Sequence, residues 1–254
     1  MRITFLGTGT SQGIPVVACP CEVCRSEDPR DRRLRSSVMI EESGKRIIID
    51  CGPDFRQQML REDVKSIDAI LVTHGHKDHL GGLDDVRAFN YILRRPTDIY
   101  ARREDQQVIR KEYSYAFGDD RYPGVPELSL HTIRNQPFEA AGLEIIPVKA
   151  RHYNNHFVFG FRIGEFTYIT DAVEISRKEM NKIAGSKVIV INALRKKKHY
   201  SHFNLGEALA ILRELKPEKG FLTHISHQLG KYAEVTQELP PGVMLAYDGL
   251  KLDL

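Results

Sequence analysis

The ten residues Thr73-His74-Gly75-His76-Lys77-Asp78-His79-Leu80-Gly81-Gly82 hold three histidines and an aspartate within six positions. Imidazole is the commonest metal-ligating side chain, and this spacing offers metal binding. The segment follows the apolar run Ile67-Asp68-Ala69-Ile70-Leu71-Val72, which reads as a buried strand. If extended backbone continues past Leu71, alternate side chains share a face, so His74 and His76 emerge together with Asp78 behind them. His79 breaks the alternation. Gly81 and Gly82, followed by a helical pattern from Leu83 to Leu93, predict a sharp strand-to-helix turn that carries the fourth group to a second position. One short segment could thus serve two adjacent metals, His74 and His76 on one, Asp78 and His79 on the other. A histidine-rich surface loop is the plain alternative, and the compactness of the spacing argues against it.

A second set of metal-ligand types stands near the start of the chain. Cys19-Pro20-Cys21-Glu22-Val23-Cys24 gives the spacing C-x-C-x-x-C. Such a knuckle can offer three thiolates to one tetrahedral zinc and then needs a fourth ligand from elsewhere, typically histidine. Free thiols or one disulfide are the alternatives. With all four positions filled by protein, the zinc would be structural, with no open position for water. The late run Leu222-Thr223-His224-Ile225-Ser226-His227-Gln228 suits both needs: His224 fits the histidine-rich centre and His227 the knuckle. Cys51 stands apart and reads as a small buried residue.

Further candidates lie at predicted strand ends. Asp50 ends a strand and could either hold a ligand histidine from behind or cap the helix at Phe55 to Arg61. His152 follows a strand at Pro147 to Ala150, with His156 as its rival, and Asp171 closes the strand from Phe166 to Thr170, with helix capping as the plainer role. A hairpin is expected for Ser37 to Glu42 and Lys45 to Asp50 around Ser43-Gly44. Another is expected for Val243 to Tyr247 and Leu250 to Leu254 around Asp248-Gly249. Gly118 to Pro126 is a polar loop whose Asp119, Asp120, Arg121 and Tyr122 could form a lid or a solvated connection. The basic run Arg195 to Lys198 reads mainly as a solvated face, although in a loop leading to the site it could also attract a phosphate, and His199 reads as exposed.

Composition narrows the class. With 254 residues and 41% hydrophobic content, a sizeable core in one α/β domain is expected, 1–254, with the knuckle as an insertion near 15–36. A net charge of +3 does not advertise nucleic-acid binding and does not discourage a phosphate-bearing substrate. No apolar run approaches the roughly 20 residues that cross a bilayer. The N-terminus does not read as a signal peptide, and thiols clustered this closely suit a reducing compartment, so a cytoplasmic protein is expected.

The HxHxDH stretch after a hydrophobic strand resembles the signature of the metallo-β-lactamase superfamily of hydrolases. The glycine-bearing loop Gly7-Thr8-Gly9-Thr10-Ser11-Gln12-Gly13 resembles the superfamily's loop beside the active site. Combined with THISHQ, the knuckle resembles the PhnP-type branch, the phosphoribosyl cyclic phosphate phosphodiesterases, over nearly the whole chain. The resemblance implies a four-layer αββα sandwich with the metals at the rim between two sheets. It places His74, His76, His152 and Asp171 on one metal, and Asp78, His79, His224 and the bridging Asp171 on the other, with His152 favoured over His156. It also implies a separate zinc on Cys19, Cys21, Cys24 and His227. His202 resembles a family histidine that approaches the substrate, and is the candidate general acid beside the catalytic Asp78. Two divalent ions (zinc, manganese, iron or nickel) would activate water for attack on a small cyclic phosphodiester. Nucleic acid is expected only as a nucleotide or short oligomer, no membrane partner is expected, and a homodimer is left open. The alternatives are a lactone or thioester hydrolase on the same scaffold, a ribonuclease Z-like nuclease, for which no long tRNA-binding insertion is visible, and a non-catalytic binding protein.

Overall fold

The structure is a computed structural model that describes residues 1–118 and 121–254. Its strands are β1 (Arg2–Gly7), β2 (Ser37–Glu42), β3 (Lys45–Ile49), β4 (Ala69–Leu71), β5 (Thr97–Ala101), β6 (Leu128–Thr132), β7 (Phe138–Ala140), β8 (Leu143–Tyr153), β9 (His156–Ile163), β10 (Phe166–Ile169), β11 (Glu174–Ile175), β12 (Val188–Asn192), β13 (Lys219–Thr223), β14 (Val243–Leu245) and β15 (Lys251–Asp253). The α-helices are α1 (Phe55–Arg61), α2 (Lys77–Leu80), α3 (Arg87–Leu93), α4 (Arg103–Glu112), α5 (Arg177–Ile183), α6 (Leu205–Leu215) and α7 (Tyr232–Glu238).

Period-two alternation sorts these strands into layers. In the first sheet, ordered β15-β1-β2-β3-β4-β5-β6, Ile3, Phe5, Ile47 and Ile49 point inward. They meet Phe159, Phe161, Tyr168, Val190 and Phe221 of the second sheet, ordered β11-β8-β9-β10-β12-β13-β14 with β7 paired to β8. The alternate residues Leu6, Ile48, Ile70 and Ile99 face outward onto Phe55, Met59, Phe89 and Ile109 of α1, α3 and α4. On the far side Ile169, Ile189, Ile191 and Leu222 pack against Met180, Ile183, Ala208, Leu212 and Val235 of α5, α6 and α7. The result is helix, sheet, sheet, helix, the four-layer αββα sandwich that was expected.

Parallel pairing runs through β3-β4-β5-β6 and through β10-β12-β13-β14. In open parallel sheets, ligands bind beyond the carboxyl ends of the strands. Here three residues just past such ends, Asp50, Asp171 and His224, all take left-handed backbone, with φ of 66°, 54° and 53°. Asp and His tolerate that region better than most non-glycine residues. At each of these places the chain turns sharply off its sheet and leaves one polar side chain at the rim between the two sheets.

Several local expectations change. β14 and β15 do not form a hairpin: β14 runs parallel to β13 in the second sheet, and β15 pairs with β1 in the first. The Asp248-Gly249 turn carries the chain between sheets, with the Gly249 amide donating to the Phe5 carbonyl. β8 continues through His152 to Tyr153 instead of ending before it. The helix expected from Leu83 begins as a 3-10 turn at Leu83–Val86, and α7 was not foreseen. The Ser43-Gly44 hairpin is as expected, with φ of 51° and 75° at the two turn residues. Of the lid candidates, Asp119 and Asp120 lie outside the described residues. Arg121 and Tyr122 line a cleft with Pro96 and Ser129, apart from the histidine-rich rim. Among the described residues, no helix is long and apolar enough to cross a membrane.

Candidate metal centre and active site

The chain leaves β4 at Leu71 and reaches the rim at Thr73. Its amide and hydroxyl both donate to Asp50, each at 2.8 Å. His76 sits at the N-cap of the single-turn helix α2, so Asp78 and His79 are swung round as the spacing predicted. Gly52 makes this possible: a Cβ there would meet the Asp78 carbonyl oxygen at 2.2 Å, and the Cys51 amide reaches the His79 carbonyl at 2.7 Å. The motif is thereby fastened to the loop that follows β3.

Around this segment the structure gathers side chains from distant parts of the chain. Ring nitrogens of His74, His76 and His152 lie within 4.8 Å of one another, as do ligand atoms of Asp78, His79 and His224 and those of His74, His79 and Asp171. Asp171 stands between the sets, with Oδ2 at 2.9 Å from His79 Nε2 and Oδ1 at 3.1 Å from His224 Nε2. This is the placement a bridging carboxylate needs. His156 is not among these groups; it is exposed and stacks on Tyr153 with ring centroids 4.4 Å apart.

Most of these imidazoles have an outside partner for one ring nitrogen, which leaves the other facing inward. His79 Nδ1 meets Asp50 Oδ2 at 2.6 Å, His152 Nδ1 donates to the Ser201 carbonyl at 2.8 Å, and His224 Nδ1 lies 3.2 Å from Ser36 Oγ. The alternatives for Asp50 are thus resolved: its carboxylate holds His79. The N-cap position of helix α1 is Asp54, whose carboxylate binds Arg35. Nor does Asp171 cap a helix, since Ser176 caps α5. Outside partners of this kind fix ring orientation and make the inward nitrogen a better donor to a metal.

The donor set fits metal ions. With the Nδ1 hydrogen committed to Asp50, the buried Nε2 of His79 has no hydrogen-bond partner, yet it points at Asp78 Oδ2, 3.1 Å away, and at Asp171 Oδ2. A lone pair facing two carboxylates calls for a cation among them. The electrostatics agree. Burial opposes charge on His79, but Asp78, Asp171 and Asp50 outweigh it and push its pKa well above the usual value, so this place among the carboxylates demands positive charge, met by a proton on the ring or by a metal ion that displaces it. Burial would raise the Asp78 carboxyl, yet neighbouring His79 holds it down at about 2. Burial also lowers His152 to about 4 and His224 to about 3, keeping both rings in the neutral, metal-binding form at pH 7.

The knuckle forms a second, separate group. His227 Nδ1 lies 3.3 Å from the sulfurs of Cys19 and Cys21 and 3.6 Å from that of Cys24. Tetrahedral zinc, with Zn–S about 2.3 Å and Zn–N about 2.0–2.1 Å, sets such edges at about 3.6 Å. All four cysteines are free thiols, and Cys51 is buried as expected. The Cys24 amide, which donates to Cys21 Sγ, holds the Cys21 thiol down at about 6 against the effect of burial, favouring the thiolate a metal requires.

A cavity of about 790 Å³ opens over the rim, with His76, Asp78, His152, Asp171, His202 and His224 among its lining residues. His202 is at its wall, Nε2 2.7 Å from Asp171 Oδ1, and Nδ1 2.8 Å from Ser201 Oγ and 3.2 Å from His199 Nδ1. His199, expected to be exposed, is half-buried against this pair. Ser36, Ser201 and Arg195 also belong to the site. Nothing in the local sequence of Ser36 and Ser201 marks them, because they act through partners nearly 190 and about 50 residues away, whereas Arg195 belongs to the basic run already noted and reaches Gln228 on another loop.

Comparison with known proteins agrees with this geometry. Residues 45–225 match the Beta-lactamase superfamily domain. A solved structure described as a new diphosphatase from the PhnP family superposes with a TM-score of 0.93 at 39% identity, covering 100% of this chain and 97% of that one. Zn(2+)-bound PqqB from Methylobacterium extorquens superposes with a TM-score of 0.80 at 20% identity over 100% of both chains, a likeness of fold. An octanoyltransferase of Porphyromonas gingivalis is 39% identical over 99% of this chain; the match spans 51% of its own length. Ribonuclease Z of Methanococcus maripaludis is 24% identical, covering 94% of this chain and 72% of that protein. The chain belongs to the metallo-β-lactamase superfamily and is a metal-dependent hydrolase. Within that superfamily it is of the PhnP type.

Proposed function

We propose that this protein is a dinuclear metal-dependent phosphodiesterase that cleaves small cyclic phosphodiesters, phosphoribosyl 1,2-cyclic phosphate or 2′,3′-cyclic nucleotides. The observation that carries this reading is the polar cavity that opens directly on the histidine-aspartate cluster, with His202 at its wall 2.7 Å from Asp171. His74, His76, His152 and Asp171 would hold one divalent ion, and Asp78, His79, His224 and Asp171 the other. Zinc, manganese, iron and nickel all suit these donors. When bound, the ions supply a water ionised near neutral pH and neutralise charge on the phosphate.

The chain's own groups complete the chemistry. Asp171 anchors His202 through its Oδ1, and Ser201 and His199 hold the other side of the ring. From that place His202 can give a proton to the departing alkoxide, a contribution of typically ~10²- to 10⁴-fold in rate. The polar lining, with Ser11, Gln12, Asn154, Arg195 and Gln228, suits a charged substrate better than an acyl chain. The relative described as a diphosphatase keeps the reading within phosphorus chemistry. The octanoyltransferase relative extends well beyond the matched half, so its name does not favour acyl chemistry for this chain.

The test is hydrolysis of 2′,3′-cyclic AMP by the manganese- or zinc-loaded protein, with Asp78→Ala as control. Turnover that the control abolishes supports the reading. Turnover of a lactone or thioester, with none of any phosphodiester, would replace it with a carbon-ester hydrolase.

A further inference from the structure

Hydrogen bonds around the glycine-bearing loop fix where one proton lies at the edge of the metal centre. Ser36 Oγ stands 2.9 Å from the Gly9 carbonyl oxygen and 3.2 Å from His224 Nδ1. A hydroxyl has one hydrogen and a carbonyl oxygen only accepts, so Ser36 donates to Gly9 and accepts from His224. The N–H of the neutral His224 ring is therefore on Nδ1, and Nε2 presents a lone pair. Thr10 Oγ1 lies 3.2 Å from that Nε2 and must be the donor. Among the described residues this hydroxyl has no other hydrogen-bond partner.

Backbone contacts hold Thr10 in place. Its amide donates to the Ile225 carbonyl at 3.0 Å, the Ile225 amide to the Thr8 carbonyl at 2.9 Å, and the Gly13 amide to the Thr10 carbonyl at 2.8 Å. Gly9 lets the loop lie flat on its neighbour, since a Cβ there would meet the Arg33 carbonyl oxygen at 2.9 Å. The loop is thus laced to the segment that carries His224. Thr10 itself is only 8% exposed, and it lines the cavity together with Asp78, Asp171, His202 and His224.

His224 would ligate an ion through the same Nε2 lone pair. The Thr10 hydrogen then loses its acceptor, and a buried hydroxyl at a cavity wall needs another oxygen to bond. Within the cluster Thr10 bonds His224 alone, which belongs to the group with Asp78 and His79 and not to the group of His74, His76 and His152. The attacking water is shared between two ions, whereas Thr10 stands at one end of the pair, beside an oxygen bound to a single ion. In a phosphodiester that oxygen is a non-bridging one, and its charge grows during in-line attack. We propose that Thr10 is a catalytic residue whose hydroxyl, released from His224 Nε2 by metal binding, donates to a non-bridging oxygen of the scissile phosphate. The hydroxyl keeps its proton throughout: the water oxygen bonds to phosphorus, the bond from phosphorus to the leaving oxygen breaks, and that oxygen takes its proton from His202. This inference rests on the phosphodiesterase reading and adds one donor to it.

The test uses Thr10→Val, which lacks the hydroxyl at similar shape, and Thr10→Ser, which keeps it, on the manganese-loaded full chain. The substrate is 2′,3′-cyclic AMP, and the inhibitor is orthovanadate, whose five-coordinate form imitates phosphorus under attack. Thr10→Val should lower kcat by about 10- to 100-fold, the loss expected for one hydrogen bond to a charged oxygen, and raise the orthovanadate KI by a similar factor. Metal content should not change, and Thr10→Ser should recover most of both losses. A fall in kcat with an unchanged KI would put the hydroxyl on the attacking water or in the fold alone, which overturns the proposal. Loss of metal from Thr10→Val overturns it as well, because Thr10 would then be a ligand. A wild-type kcat in Thr10→Val overturns it too and leaves the phosphodiesterase reading intact. Should Thr10→Val melt early, Thr10→Ala decides by the same readings. If the wild type cleaves no phosphodiester, the phosphodiesterase reading fails and this inference falls with it.

Discussion

Asp50 Oδ2 and His79 Nδ1 lie 2.6 Å apart in the interior, both side chains essentially inaccessible to water. Asp50 also receives the amide and hydroxyl of Thr73, so one carboxylate orients the central histidine and pins the start of the motif. Asp50→Asn keeps the shape and, because asparagine tolerates left-handed backbone, the fold as well. It loses the charge that fixes the His79 hydrogen on Nδ1. Metal affinity or activity is expected to fall by about 10–100-fold, measured as metal content after dialysis and as turnover. An Asp50→Asn protein with wild-type metal content and rate would mean that Asp50 serves only the backbone.

Cys21→Ser should remove one zinc per chain and lower the melting temperature while sparing the histidine-aspartate ligands. Oxygen is a poorer ligand than thiolate for zinc, and structural zinc contributes its binding free energy to folding. Metal analysis of the purified variant is the check. Full zinc retention would show that the sulfurs are bystanders.

His202→Ala separates proton donation from metal binding. Turnover of a cyclic phosphodiester should drop by ~10²-fold or more, with little change in metal content. A nitrophenyl ester, whose leaving group needs no proton, should suffer far less. Parallel loss of metal would instead make His202 a ligand, which its membership of one candidate group with His152 and Asp171 allows as a readable outcome.

Asp248 offers a pH test away from the centre. Burial pushes its carboxyl up to about 6, although the Leu34 amide and the Thr8 hydroxyl both donate to it. A raised carboxyl means that the folded state binds the proton more tightly than the unfolded chain. Its contribution to stability is fully present below the unfolded value, about 3.9, and is lost as pH rises through about 6, roughly 3 kcal/mol in all. Asp248→Asn cannot ionise. Its stability relative to wild type should therefore improve steadily across this window in urea unfolding; comparing the two proteins cancels the titration of groups they share. A constant difference between the two would place the Asp248 carboxyl near its ordinary range.

Much of the candidate site could be read along the chain because metal chemistry depends on donor type, and donor types are written locally. The histidine motif, the cysteine knuckle and the histidines of THISHQ each fall within a few residues, and short-range geometry is enough to place their side chains together. The hairpin at Ser43-Gly44 and helix α6, opened by Asn204 with a capping box to Glu207, are local in the same sense. Helix α7 lacks such a signal: it has no side-chain cap, and Val235 is its only buried residue.

The sequence by itself determined which side chains can bind metal, and the alternating apolar pattern that makes two sheets back to back. Tertiary structure alone decided who meets whom. Asp50 could equally have been a cap, His156 remained a rival to the favoured His152, and β14 and β15 resembled a hairpin. Each of these was settled by contacts between segments tens to hundreds of residues apart. The reason is that strand pairing and burial are properties of the assembled sheets: a carboxylate or guanidinium takes its role from the partner brought to it, and that partner is not in its local sequence.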